Sequence, residues 1–508
     1  MKRTMAFCLA LLCVLPLAVT ACGGAKEETA QTAAVTTAEP ENKVQYDEYG
    51  QEILPLSVPD DKDFGGKELI YLCRDREDYR MDFGPEEQNG EVINDALYTR
   101  NLKTEEYLNI KHKTVLAENS NYAINDAVIN SVTSGDQAYD IVETYQFYGG
   151  SNLAPQGYLY NVYKLPFCDF EKPWWNQDFV DTLTVSGLLF YTVGSMNLNA
   201  FASMKGMFFN QQKVTDIYKD YNFLYEEVYD GKWTLDRFME IVSDVYTDVN
   251  GDGTADPNDF YGLAVCESDP GPWLPALGIR LCTPDGKGGQ TLTLFNEHTV
   301  NAYDKLWKLY KESKGVYYGP GDFEETLTFL NGQAMMINCN FTKATTVLRD
   351  MKDTYGILPM PKYDEAQEGY YNETRDDSNL TCIPADIKDA EVVGAALETL
   401  NYYGYYEVIP VFFEVAMKSK YLADSNSAKM FDIIVNGMKV DFGAVNSLAI
   451  SGGSYSMKGT YHVQVRNLMR PSVNIKDFAS NYATYEPTYT KCLADLLAAY
   501  AKLAEEDK

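Results

Sequence analysis

Residues 248–259, DVNGDGTADPND, set oxygen donors at Asp248, Asn250, Asp252, Thr254 (through its carbonyl), Asp256 and Asp259, with Gly253 where the chain must turn sharply. Hard oxygens converging from one short loop at this spacing suit a single structural Ca2+. A solvated Asp/Asn/Gly turn is the plainer reading of the same residues. Asp259 is one methylene shorter than the glutamate usual at that position, which points to an affinity suited to extracellular calcium. The flanks limit the fold. KWTLDRFMEIVSDVYTD (232–248) has the period of an amphipathic helix with Thr234 as N-cap, and YGLAVCE (261–267) is strand-like. A sensor needs helices on both sides of its loop, and a dockerin needs two loops. Helix–loop–strand is instead a joint inside a larger α/β domain.

The N-terminus is not part of that domain. Lys2 and Arg3 precede an apolar run from Met5 to Val19, and small residues lead to Cys22. This is the pattern of an export signal over 1–21. Val19-Thr20-Ala21-Cys22 resembles a lipobox, which makes Cys22 the expected lipidation site. Residues 22–60 begin Ala/Thr/Glu-rich, without apolar periodicity, and read as a flexible tether. These features place the mature chain on the extracellular face of the cytoplasmic membrane, held through its lipid anchor only.

A net charge of −31 repels phosphate backbones, so nucleic acid is excluded as a partner. Beyond Cys22, the mature chain has Cys73, Cys168, Cys266, Cys282, Cys339, Cys382 and Cys492. Their number is odd and their spacing wide, with no CxxC, which fits neither a disulfide framework nor a zinc site. Cys266 and Cys282 are the one pair that could bridge a loop. His112, His298 and His462 fall in no catalytic motif, and there is no HExxH, GxSxG, P-loop or GxGxxG. No enzyme is expected on these grounds.

The 508 residues suggest about two to four domains or lobes. GKELIYLC (66–73) opens the fold as a strand, NDALYTRNLKTEEYLNI (94–110) and YAINDAVINSVTSG (122–135) read as helices, and YDIVETY (139–145) as a buried strand. Strand, helix, helix, strand implies a sheet with crossover helices. Further strands are expected at AMMINCN (334–340) and YGILPMP (355–361). Further helices are expected at 205–218 (after a strand), 300–313, 323–332, 390–406 and 492–506. Loop aromatics beside Gly, Pro and amides, as in YQFYGGSNLAPQGY, KPWWN and SDPGPWLPALG, suit a sugar: a ring covers the C–H face while amides bind hydroxyls. Packing is the ordinary role of each such ring taken singly.

The order of these segments carries a resemblance. YDIVETY with LAPQGYLYNV, MFFNQQKV, KWTLDRFMEIV with the Asp/Asn loop and YGL, FLNGQAMMINCN, YGILPMPK and IPADIKDAEVVGAALETL together resemble family 1 extracellular solute-binding lipoproteins of bacterial ABC importers, the carbohydrate-binding group. The resemblance spans about residues 66–508. It implies a two-lobed α/β fold, periplasmic-binding-protein-like (type II), with an inter-lobe ligand cleft and hinge closure. Lobe 1 would hold 61–200 and 362–415, and lobe 2 would hold 201–361 and 416–508. Hinges would lie near Tyr145, Met196–Asn199 and Pro359–Pro361. Cleft contacts would come from Tyr145, Gln146, Asn197, Asn199, Trp273 and Asn340. The ligand would be a mono- or oligosaccharide, the partner an ABC permease, and the receptor a monomer. Two other functions fit the export signal: a surface lipoprotein enzyme acting on polysaccharide, which needs two facing carboxylates, and an adhesive surface module.

Overall fold

The computed structural model describes residues 45–47, 49–120, 122–266, 272–319, 324–373, 378–418, 425–452 and 474–507. The export signal, Cys22 and His462 lie outside the described residues. The chain divides after Ile53. In the first unit, Tyr46 and Glu52 form an antiparallel bridge around Asp47, whose carboxylate accepts the backbone N–H groups of Tyr49 and Gln51.

Two sheets organise the second unit, Leu54–Lys508. Sheet I runs β12-β3-β1-β2, with β1 Lys67–Arg74, β2 Ile110–Ala117, β3 Ile141–Tyr145 and β12 Asn379–Cys382. β1 pairs in parallel with both β2 and β3, so each connection must cross over. The helices Val92–Leu108 and Ala123–Ser134 supply those crossovers. β12 returns antiparallel to β3 from far along the chain, setting Asn379 opposite Tyr145 and Thr381 opposite Glu143.

Sheet II joins β11 Tyr355–Leu358, β4 Lys205–Asn210, β10 Ala334–Asn340, β6 Phe260–Cys266 and β5 Tyr246–Thr247, with β9 Val316–Gly319 alongside the later part of β6. Every residue of β4, β10 and β11 is buried, as expected of strands covered on both faces. A small ribbon pairs β7 Cys282–Pro284 with β8 Gln290–Leu292. The C-terminal helix Phe478–Glu506 packs on the Ala154–Gln156 turn, on Ser447–Ile450 and on the helix Glu297–Trp307.

Three segments differ from the sequence reading. β2 stands where no strand was expected between the first two helices. It is the open edge of sheet I, and it exposes Lys111, Lys113, Thr114 and Leu116, so it lacks an apolar run. The helix expected over 232–248 ends at Val242, although Thr234 caps it as anticipated, its Oγ1 accepting the Arg237 N–H at 3.3 Å. The chain then forms β5, because Tyr246 packs on Tyr261 at 5.4 Å and pairs with β6. Loop 248–259 is therefore a strand-to-strand connection. The C-terminal helix starts fourteen residues earlier than the 492–506 pattern, at Phe478. Pro487 and the tyrosine-rich run before it hide the helical period. None of the seven cysteines of the described residues forms a disulfide, Cys266 and Cys282 included.

Candidate functional site

In open α/β sheets the strand carboxyl ends are where ligands collect. Here β3 ends at Tyr145 in sheet I, and β6, β9 and β10 end at Cys266, Gly319 and Asn340 in sheet II. The helix Leu198–Ala202 leads from the sheet I side directly into β4 and is buried along its whole length. It is held tightly from behind. The Met196 N–H donates to Asn401 Oδ1 at 3.0 Å, and a Cβ on Gly404 would stand 2.5 Å from the Ser195 carbonyl.

A buried polar network fixes this crossover to sheet I. Asp82 accepts the Asn199 N–H at 2.6 Å through Oδ1 and the Asn379 amide at 2.8 Å through Oδ2. The Asn199 carbonyl oxygen Oδ1 accepts the Asn379 N–H at 2.9 Å. Glu143 accepts the Thr381 hydroxyl at 2.7 Å and the Asn197 amide at 3.2 Å. Arg100 donates to the carbonyls of Met196 and Asp82. Burial pushes the Asp82 carboxyl up to about 7 and raises Glu143 well above the carboxylate range, with the like charge of Asp82 raising Glu143 further. Burial lowers Arg100 to about 10, against the pull of Asp82. The network ties two chain crossings, 196–199 and 378–382, to one strand end.

The structure gathers four of the expected cleft residues here. Tyr145 is half-buried, its ring 6.3 Å from Tyr79. Gln146 is buried, its N–H donating to the Ser378 carbonyl and its Oε1 accepting the Ser378 hydroxyl at 3.1 Å. Asn197 and Asn199 are 1% and 2% exposed, and their amides bind inward, Asn199 to the Asp78 carbonyl. They position the crossover and, as packed, offer no free amide to a ligand. Trp273 needs correction as a cleft contact: it is fully buried, with Phe238 at 5.6 Å and Tyr310 at 6.3 Å, so its ring belongs to the core of the sheet II half.

Asn340 is the last residue of β10 and is 7% exposed; its Oδ1 has no hydrogen-bond partner. Two residues earlier on the same strand face, Asn338 is 4% exposed, and neither its Oδ1 nor its Nδ2 has a partner. Sequence reasoning passed over Asn338. The signal was present: in AMMINCN the polar residues stand two apart within a fully buried apolar run. It also passed over Asp82, Arg100, Glu143, Asn379 and Thr381, which lie far apart in the chain.

Loop 248–259 is oxygen-rich and folded on itself. Asp248 accepts the N–H groups of Gly251 at 2.7 Å and Gly253 at 2.9 Å, and both glycines take positive φ. Asn250 Nδ2 stands 3.1 Å from Asp252 and 3.3 Å from Asp256, so an amide occupies a point where these carboxylates converge. The Thr254 N–H donates to Asp252. These donors suit a hard cation. Asp259 departs from the expected set: it is buried, and its two oxygens accept Val249 N–H and the Tyr246 hydroxyl. Among the described residues no three His, Cys, Asp or Glu side chains are gathered closely enough to hold a metal.

No protein-family model matches the sequence, and no curated protein matches it. Solved structures do. The chain is similar to UgpB from Mycobacterium tuberculosis in complex with glycerophosphocholine, at 15% identity over 79% of this chain and 95% of that chain, TM-score 0.50. It is also similar to the maltose/maltodextrin-binding domain MalE from Bdellovibrio bacteriovorus bound to maltotriose, at 15% identity over 84% and 98% of the two chains, TM-score 0.48. The GacH receptor of Streptomyces glaucescens matches at 15% identity over 87% and 99%, TM-score 0.47. The fold is the mixed α/β, two-lobed, periplasmic-binding-protein-like one expected from the sequence.

Proposed function

We propose that this chain is an exported, lipid-anchored solute-binding protein of an ABC importer, which captures a mono- or oligosaccharide by lobe closure and presents it to a permease. The lobes would be 61–200 with 362–415, and 201–361 with 416–508. The observation that carries the reading is the buried Asn338 amide, unpartnered at both Oδ1 and Nδ2, with the unpartnered Oδ1 of Asn340 two residues on at the carboxyl end of β10. A buried amide without a partner costs about 1–3 kcal/mol. A ligand hydroxyl, which both donates and accepts, answers that need. The solute-binding fold and the export signal support the same role. Cys22 would carry the lipid, loop 248–259 would hold one structural Ca2+, and the receptor would work as a monomer on the extracellular face of the cytoplasmic membrane.

A polyol phosphodiester is the second ligand reading. It is favoured by Lys205, 6% exposed and in register with Asn340 across β4 and β10, and by the glycerophosphocholine bound to UgpB. A thermal-shift screen with calcium present tests both. Sugars that raise the melting temperature without being converted support the first reading. A shift with glycerophosphodiesters alone selects the second. A shift with peptides alone refutes both, and sugar hydrolysis refutes a pure receptor.

A further inference from the structure

A cavity of about 340 Å3 lies in the sheet I half, between the β1–β2 edge, the helix Val92–Leu108 and residues 83–86. It sits against the middle of β1 and β2, away from the strand carboxyl ends where the candidate cleft lies. That volume accommodates a ligand on the order of ten non-hydrogen atoms.

Tyr71 and His112 line it from neighbouring strands, with ring centroids 5.2 Å apart, and Phe83 packs on Tyr71 at 4.5 Å. Tyr71 is 2% exposed, and its hydroxyl has no hydrogen-bond partner; neither ring nitrogen of His112 has one, Nδ1 standing 3.6 Å from Glu105 Oε1. Both residues line the cavity, with these polar atoms themselves buried. The terminal torsion of histidine is soft, so a modest turn of the ring brings a nitrogen to the cavity. Burial lowers His112 to about 4 and raises the Tyr71 hydroxyl, so at neutral pH both are uncharged. A neutral imidazole offers one donor and one acceptor.

Most of the charged groups lining the cavity are engaged within the protein. The three guanidinium nitrogens of Arg100 donate to Asn101 Oδ1 and to the carbonyls of Met196 and Asp82. Glu105 accepts the His112 backbone N–H at 2.8 Å and pairs with Lys111 at 2.8 Å. Lys113 pairs with Glu68 at 3.3 Å. Glu86 also lines the cavity. An anionic ligand would meet the carboxylates of Glu86 and Glu105 and find the Arg100 donors occupied, whereas a flat neutral one finds aromatic walls and unsatisfied polar atoms.

We propose that this cavity is a second ligand site, taking a small, neutral, planar nitrogen heterocycle or aromatic amide that hydrogen-bonds His112 and Tyr71. Arg100 links it to the Met196 carbonyl, so an occupant touches a side chain that also holds the crossover.

The test uses the full chain with adenine and nicotinamide as probes, and benzoate and nicotinate as anionic controls, by calorimetry and ligand-observed NMR at neutral pH. The neutral probes are expected to bind with a dissociation constant of about 10 μM to 1 mM, and the charged ones not to bind. His112→Leu should weaken binding by about tenfold or more. Thr114→Trp, at an exposed strand position on the cavity mouth, should block it sterically, with melting curves confirming that both variants fold. Asn338→Ala should leave it unchanged. Absence of binding, equal binding of charged probes, binding that survives both cavity variants, or loss in Asn338→Ala would each overturn the proposal.

Discussion

Asp82 and Asn199 are joined by a 2.6 Å hydrogen bond from the Asn199 backbone N–H to Asp82 Oδ1. Asp82 is on the sheet I side, and Asn199 is in the helix that leads into sheet II. The acid that fixes this crossover is also one that burial holds up to about 7. Between its ordinary 3.8 and that value, the folded chain binds a proton that the unfolded chain has released. Its contribution to stability therefore falls as pH rises through this window and is level above it. His112 acts with the opposite sign. Its folded value of about 4 lies below its ordinary 6.5, so stability is lost as pH falls from 6.5 toward 4. Denaturant titrations from pH 4 to 8 should show the two slopes opposing each other below 6.5. Asp82→Asn should make the falling limb shallower, with Glu143, which burial also raises, still contributing to it. It should also cost about 1–3 kcal/mol, because an amide –NH2 then faces the donor of Asn199 or Asn379.

Asn338→Ala and Asn340→Ala should separate stability from binding. Asn338 has no partner at either amide atom and Asn340 none at Oδ1, so removing them costs little and melting temperatures should stay within a few degrees of wild type. Affinity for the cognate solute should fall about tenfold to a hundredfold, since each hydrogen bond to ligand contributes about 1–3 kcal/mol once its partner is left buried. Calorimetry on the pair, with the double variant, reads both effects.

Trp273→Ala should do the reverse. Deleting a fully buried indole packed on Phe238 and Tyr310 should destabilise the fold by about 3–5 kcal/mol. Whatever fraction remains folded should bind solute with near-normal affinity.

Calcium can be tested by chelation. If loop 248–259 holds an ion, chelator should lower the melting temperature of the wild type, and Asp248→Ala should abolish that sensitivity. Asp259→Ala should destabilise the chain with or without calcium, because Asp259 binds Val249 and Tyr246 directly. A wild type indifferent to chelator would assign the loop a purely hydrogen-bonded role.

The buried strands were readable because each holds a short apolar run: AMMI and YGIL announce β10 and β11, fully buried in the fold. β2 was not readable, since an edge strand needs no apolar stripe and IKHKTVLA has none. The helix before the loop was overextended because Val245 and Tyr246 continue its apolar spacing, while pairing with β6 claims Tyr246 instead. For the candidate site, the family resemblance together with side-chain chemistry pointed to Tyr145, Gln146, Asn197, Asn199 and Asn340. Neither could foresee that Asn197 and Asn199 bind inward, because their partners Glu143, Asp82, Asn379 and Thr381 come from elsewhere in the chain. Trp273 looked like a ligand platform for want of any view of Phe238 and Tyr310 around it.

β2 is the edge strand of sheet I among the described residues; Glu105 caps its His112 N–H, and Lys111 and Lys113 stand exposed along it. An antiparallel copy of β2 docking there would bring its own lysines beside these, with like charges meeting at close range. Where copies of this chain are crowded together, that repulsion guards against chains zipping together edge to edge. The polar composition that concealed the strand in the sequence is thus what keeps neighbouring copies apart.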